Sequence, residues 1–340
     1  MATIGHWSSL AEAQKLVQAE LLLSGVIETI IKEGSLIPRL PVMQIDSKEI
    51  IYYREKTVVS VLDYVSVGEQ LSWKADQDYG TKQSISLVIA AGARRIENAI
   101  AATYKNPNDY RAQAMKEITK GVAHWIEHQL IYGTGTGGQA QGLKKIIADI
   151  AGLAEVPSDY SSTLNINENS ALSLANLRAL TDSIRPDKPD LLLVNRTFGR
   201  RFDAMAQEAA IEGTAAPKMQ GIIQFGADQL GARVTYFDGI PIIRSDFLTQ
   251  TEDANGDAAA STRTSIYAIK FGTIQEGGLC AVFGGQGGSI GKFFRVDLFD
   301  KLEDFDATGV RVIGYFNFAL GSIKQLGRIY NIDPAAAITA

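Results

Sequence analysis

A single cysteine, Cys280, excludes an intrachain disulfide and any cysteine zinc cluster. Histidine is almost as scarce, with three in 340 residues, so chemistry that needs imidazole has few places to sit. No long apolar run is present: the stretch from Leu21 to Ile31 is broken by Ser24, Gly25 and Glu28 and is far too short to span a bilayer. No charged segment precedes an apolar block, so nothing reads as a secretory signal. Positive charge is not in excess either. Lys plus Arg number 33 against 38 Asp plus Glu, a net −5 that excludes a generally basic nucleic-acid binder. What is present is ordinary: 46% hydrophobic and 21% charged residues, enough to bury a large core without staples. The length sets an expectation of about two domains. Together these features describe a soluble protein of a reducing compartment.

Along the chain, residues 1 to about 45 read as an extended arm. A helical stretch from Leu10 to Ile31 carries Leu16, Leu23, Ile27 and Ile30, and Gly34, Pro38 and Pro41 then keep the chain irregular. From Ile50 to Ala91 the pattern is a long two-stranded excursion. Val59, Val61, Val65 and Val67 share one parity of the first strand, and Val58, Leu62 and Tyr64 the other. Ile85, Leu87 and Ile89 alternate on the second, and a polar tip from Gly68 to Gln83 holds Glu69, Trp73, Lys74, Asp76, Asp78 and Lys82. A lone hairpin is marginal in water, so one with two apolar faces must be covered, by its own domain or by another chain. A long helix follows, with Asn106 as N-cap, Pro107 at the first position and Asp109 in the first turn. Its stripe is Met115, Ile118, Val122, Trp125, Ile126 and Leu130, and Gly133 closes it after about 25 residues, roughly 40 Å.

A Gly-rich loop, Gly133 to Gly142, and a Ser/Asn-rich stretch from Pro157 to Ser170 precede an α/β segment. There Leu174, Leu177, Thr181 and Ile184 mark a helix ended by Pro186, Leu191 to Val194 a buried strand, and Phe198, Phe202 and Met205 another helix. Short strands then dominate: Pro241 to Ile243, Ile266 to Phe271, Leu279 to Phe283, Phe293 to Phe299 and Val310 to Leu320.

Several motif matches fail on physical grounds. His124-Trp125-Ile126-Glu127-His128 fits H-x-x-E-H, a zinc-binding helix pattern with the glutamate as general base and Glu208 as a third ligand. At 100° per residue both histidines fall opposite the apolar stripe, beside Lys116, Glu117 and Lys120, which reads as a solvated face. Gly287-Gly288-Ser289-Ile290-Gly291 fits G-x-S-x-G, but a strand rather than a helix follows and no histidine lies beyond His128. Gly133, Gly135 and Gly138 satisfy G-x-G-x-x-G at the wrong end of a helix. Gly291-Lys292 lacks the remainder of a phosphate loop. Asp253, Asn255 and Asp257 resemble calcium ligands, yet Ala258 and Thr264 stand where glycine and glutamate are required. Cys280 reads as a small core residue. No complete catalytic, cofactor or metal set emerges, which shifts weight from enzyme to structural protein.

The order of parts resembles that of tailed-phage major capsid proteins of the Hong Kong 97-type fold. Asp63–Ala91 resembles the family's extended E-loop, Asn106–Tyr132 its peripheral (P) domain spine helix, and Gly133–Leu143 the loop that commonly follows. Leu191–Phe198 resembles the strand–Asn–helix of the axial (A) domain, and Gly239–Asp246 its Gly-x-Pro-aliphatic strand. Phe293 to Ile332 is similar to the strands that complete the peripheral sheet and return to the axial domain. The resemblance implies an α+β fold: an N-terminal arm over 1–45, E-loop and flanking strands over 46–95, spine helix and Gly-rich loop over 96–165, A-domain over 166–286, P-domain strands over 287–325 and the return over 326–340. It implies self-assembly through pentamers and hexamers into an icosahedral head enclosing double-stranded DNA, in a virion assembled in the bacterial cytoplasm. DNA would be contacted weakly and non-specifically. A portal and a decoration protein are implied partners, and so is a separate scaffolding protein, because the arm begins almost at Met1. Some members crosslink Lys to Asn; Lys56, Lys74 and Lys82 lie near the hairpin, but no motif marks an isopeptide site. Two alternatives stay open: an encapsulin-type compartment shell, and a zinc metallopeptidase using His124, Glu127 and His128.

Overall fold

The computed structural model describes residues 36–54, 65–70, 81–99, 107–151, 163–211, 223–227, 233–257, 261–284 and 294–339. The arm helix, Val58 to Tyr64, most of the hairpin tip, Asn106 and the G-x-S-x-G segment lie outside these residues.

Two sheets share one core. The smaller holds β1 (Val42–Ile45), β4 (Val88–Glu97), β11 (Leu279–Gly284), β12 (Phe294–Phe299) and β13 (Ala307–Leu320), in the order β1-β11-β13-β12 with β4 also on β13. The 14-residue β13 pairs with β4 over Ala307–Phe316, with β12 over Gly309–Gly314 and with β11 over Phe316–Leu320, all antiparallel. β11 falls within the 166–286 segment, yet it pairs in this sheet. The end of the expected arm is built in too. Leu36 and Leu40 are core residues, and β1 runs parallel to β11.

The larger sheet has seven strands: β5 (Asn165–Asn167), β14 (Leu326–Ile332), β10 (Thr264–Ile269), β6 (Leu191–Asn195), β9 (Ile240–Ser245), β8 (Arg233–Phe237) and β7 (Ile223–Ala227), in that order. The Leu-Leu-Leu-Val run of β6 is apolar throughout because the strand is covered on both sides. Leu192 and Val194 meet α3 (Leu174–Ser183) and α4 (Gly199–Ile211) through Leu177, Leu180, Phe202 and Met205. Leu191 and Leu193 face the other core, shared with α1 (Pro107–Tyr132) and α2 (Leu143–Ala151). Asn195 ends β6 and accepts from Thr197 N–H (2.8 Å) and Phe198 N–H (3.3 Å), supplying the acceptors that start α4.

α1 starts at Pro107, as the sequence indicates, but its buried face differs from the expected stripe. Ile126, Glu127, Leu130 and Ile131 are buried while Trp125 is 39% exposed. Gly133 follows the helix without left-handed backbone. Its role is close approach: a Cβ there would sit 2.3 Å from Ala140 O and 2.5 Å from Gln129 O. The loop it opens folds back through Gly142 N–H on Gly133 O (2.9 Å) and feeds directly into α2.

Candidate assembly surfaces

The hairpin is the first surface. β2 (Glu49–Arg54) pairs with β3 (Thr81–Ser86), so Ile85 stands opposite Ile50. This corrects two expectations: Thr81 to Gln83 belong to the strand rather than the tip, and Val65 and Val67 lie outside any strand, exposed beside a turn at Gly68. The base of the hairpin is seated on its own domain. Ile50, Tyr52 and Ile85 pack over Cys280, Val282 and Ala319. Tyr52 Oη donates to Leu320 O (2.7 Å), and Arg54 donates through Nη2 to Leu320 O (2.7 Å) and through Nε to Gly321 O (3.0 Å). Burial raises the Tyr52 phenol above its ordinary range, against the opposing charge of Arg54, and raises the Cys280 thiol to about 11.

The opposite parity of the same strand points outward. Ile51 is 46% and Tyr53 67% exposed, with Glu49, Lys82 and Ser84 beside them. One face of the ribbon is therefore satisfied within the chain, and the other lacks cover among the described residues. Lys82 is exposed; Lys56 and Lys74 lie outside the described residues.

A second open surface is the outer face of the five-stranded sheet. Past the hairpin base, Ile89 (65% exposed), Ala91 and Ala93 of β4 lie opposite Tyr315, Ile313 and Arg311 of β13. A groove of about 380 Å³ opens there between Ile45, Leu87, Ile89 and Tyr315, with Asp46 and Lys48 contributing polar walls. Arg311 lies over the Phe299 ring at 4.7 Å and pairs with Asp297 at 3.8 Å on this face.

The H-x-x-E-H residues are not brought together as ligands. Glu127, between the two histidines that the helical angle sets opposite the apolar stripe, is fully buried. Its Oε1 accepts from the backbone N–H groups of Leu36 and Ile37, each at 3.0 Å, and so fixes the point where the arm enters the domain. The 3₁₀ turn at Ile37–Arg39 has no capping side chain of its own; a remote glutamate does that work. His124 stacks edge-on against Phe247 (5.3 Å), and exposed His128 lies against Tyr132 (5.4 Å). The side chain of Glu208 lies outside the described residues. Among the described residues, no group of three His, Cys, Asp or Glu side chains is placed to hold a metal ion. Asp253 Oδ1 accepts from Asn255 and Asp257 N–H (2.9 and 2.8 Å), so it shapes a turn.

Burial raises the Glu127 carboxyl above the usual carboxylate range, opposed by its two backbone donors. A folded-state pKa above the unfolded value favours folding fully only below the unfolded pKa, and that contribution is lost as pH rises through the folded value. Glu127→Gln removes this titration. Its urea midpoint should therefore gain on the wild-type midpoint between pH 4 and pH 7. A constant difference across that range would show that Glu127 does not titrate as its burial requires.

No family model and no curated protein sequence matches the chain. Solved structures do. The encapsulin SrpI of Synechococcus elongatus PCC 7942 is similar over 97% of this chain and 98% of its own, at 15% identity and a TM-score of 0.61. The capsid of cyanophage P-SCSP1u matches over 93% of each chain at 13% identity and 0.58. The capsid of an empty GTA particle matches over 96% of this chain and 99% of its own at 10% identity and 0.57. The likeness runs the length of the chain, so the fold is shared as a whole.

Proposed function

We propose that this chain, which has the Hong Kong 97-type capsid fold, is a shell subunit: the major capsid protein of a tailed bacteriophage, assembling through pentamers and hexamers around double-stranded DNA. The observation that carries the reading is the hairpin, seated on its own domain by one face and presenting Ile51 and Tyr53 outward with the other. Obligate interfaces bury several thousand Å² and are rich in apolar and aromatic contact. An outward ribbon face and an open sheet face on one subunit are different surfaces, so their contact between copies is heterologous and closes into rings when the rotation permits. The role is structural rather than catalytic. Partners in this reading are further copies of the chain, a scaffolding protein, a portal and a decoration protein. The virion is its location, after assembly in the host cytoplasm. A net charge of −5 accords with weak, non-specific contact to packaged DNA.

A second reading, an encapsulin-type compartment, draws on the whole-chain likeness to SrpI. The contents of particles purified from the native source separate the two. Nuclease-protected double-stranded DNA of uniform length is the expected result; a stoichiometric enclosed protein with no DNA would favour the compartment.

A further inference from the structure

Glu127 carries its carboxyl into a place that accommodates only half of it. The residue is fully buried on α1, and its two oxygens fare differently. Oε1 accepts from both Leu36 N–H and Ile37 N–H, whereas Oε2 is buried with no hydrogen-bond partner. The donors belong to the start of the 3₁₀ turn at Ile37–Arg39, which no side chain of its own caps. Leu36 and Leu40 belong to the same core as Ile126, Leu130 and Ile131, while Pro38 and Arg39 stay exposed. From Val42 onward the chain is held separately, by the pairing of β1 with β11. The turn is thus a strap: a sheet holds its downstream end, and the polar hold on its upstream end is Glu127. Protonation decides how well that hold works. The neutral acid leaves one hydroxyl without an acceptor. The ionised form leaves charge on an oxygen that receives no donor, and a buried unsatisfied group costs more when charged. Water reaching Oε2 relieves that cost, and it reaches Oε2 when the turn lifts.

We propose that Glu127 is a proton-operated latch on this strap: the acid form holds Leu36–Leu40 against α1, and ionisation releases it. The elements that build this core also carry Lys120, His124 and His128 on α1, Arg39 on the turn, Asp246 in the loop after β9, and Lys144 and Lys145 on α2. Asp246 pairs with Arg196, Lys144 with Asp257 and Lys145 with Asp149. None of these charges shifts Glu127: burial raises its carboxyl, opposed by the N–H groups of Ile37 and Leu36. A seated-state pKa above the released-state value favours seating in acid, and that preference fades as pH rises through the seated value. The latch works within one chain and stands apart from the shell reading. The N-terminal arm joins the domain at this turn, so the latch governs its attachment.

The test is hydrogen exchange of the full-length chain, read by mass spectrometry on a peptide covering Leu36–Leu40 and corrected for the intrinsic effect of pH. Exchange through local opening reports the seating equilibrium. From pH 4 to pH 7 the protection of this peptide should fall at least ~3-fold in the wild type. Glu127→Gln keeps an acceptor for both N–H groups and does not ionise, so its protection should vary by less than ~2-fold over the same range. Glu127→Leu removes the acceptor and should leave the peptide poorly protected at every pH. A peptide covering β11 should stay more protected than the strap throughout, which marks the opening as local. Wild-type protection that is constant or rises with pH overturns the latch, whether or not the variants fold. An equal fall in Glu127→Gln also overturns it, since another group then titrates. So does exchange of the strap no faster than that of β11, since the turn then opens only with the whole domain.

Discussion

Replacing Ile51 and Tyr53 together by aspartate is expected to abolish particle formation while the chain stays folded. Both side chains leave about half or more of their surface to solvent, so their loss should change monomer stability by no more than about 0.5 kcal/mol each. In an assembled shell the same positions would be desolvated. Truncating a central aromatic anchor alone typically costs ~2–4 kcal/mol, and a buried unpaired carboxylate adds to that. A loss of about 3–4 kcal/mol per contact lowers the association constant by about 10²–10³, and the contact repeats in every subunit. Sedimentation should find only small species, with circular dichroism unchanged. Lys188→Ala, in the exposed loop between α3 and β6, should assemble normally. Particles at wild-type yield from the double variant would remove the hairpin face from the account.

The second large effect concerns the contact between the end of α1 and the seven-stranded sheet. Glu252 is fully buried and accepts from Tyr132 Oη (2.6 Å) at the end of α1 and from Ser265 Oγ (2.5 Å) on β10. Arg328 of β14, also buried, donates to Ser265 Oγ (3.1 Å) and Asn255 O (3.3 Å) and lies over the Tyr330 ring at 4.8 Å. Gly256, with φ +75°, makes room for it: a Cβ would sit 1.4 Å from Arg328 Nη2. Burial raises the Glu252 carboxyl above its ordinary range, opposed first by the hydrogen bonds from Ser265 and Tyr132 and then by the charges of Arg328 and Lys144. Arg328→Met removes a buried charge and its hydrogen bonds to Ser265 and Asn255, at about 1.5–3 kcal/mol each, so urea unfolding should lose about 3–5 kcal/mol. Adding Glu252→Gln should recover at least ~1 kcal/mol, a coupling expected of residues in one network. A single variant within 1 kcal/mol of wild type would show that the network does not hold α1 to that sheet.

Much of this architecture was legible in the residues. The all-apolar β6, the start of α1 at Pro107, the helix after Phe198 and the strands from Ile266 onward follow from periodicity and capping. The failures are instructive. Helical angle sets His124 and His128 opposite the apolar stripe and gives no sign that Glu127 between them is interior; only the arm, more than ninety residues earlier, makes its side so. α2 was missed although Leu143, Ile146, Ile147 and Ile150 have helical spacing, because the adjacent glycines drew the reading toward loop. The polar tip reads too wide because Thr81 to Gln83 carry polar side chains, although they pair with Tyr52 to Arg54. β1 and β5 are short and held by partners distant in sequence, which no local signal reports. The open assembly surfaces were legible only in part: the excess of apolar hairpin residues was visible, but which face is left over depends on how the base docks.

Sedimentation velocity of the purified full-length chain, with electron microscopy of the same sample across protein concentration and ionic strength, bears most directly on the claim that one copy leaves surfaces only other copies can cover. The account predicts rings or closed shells of uniform diameter. A single 36.7 kDa species under every condition would contradict it.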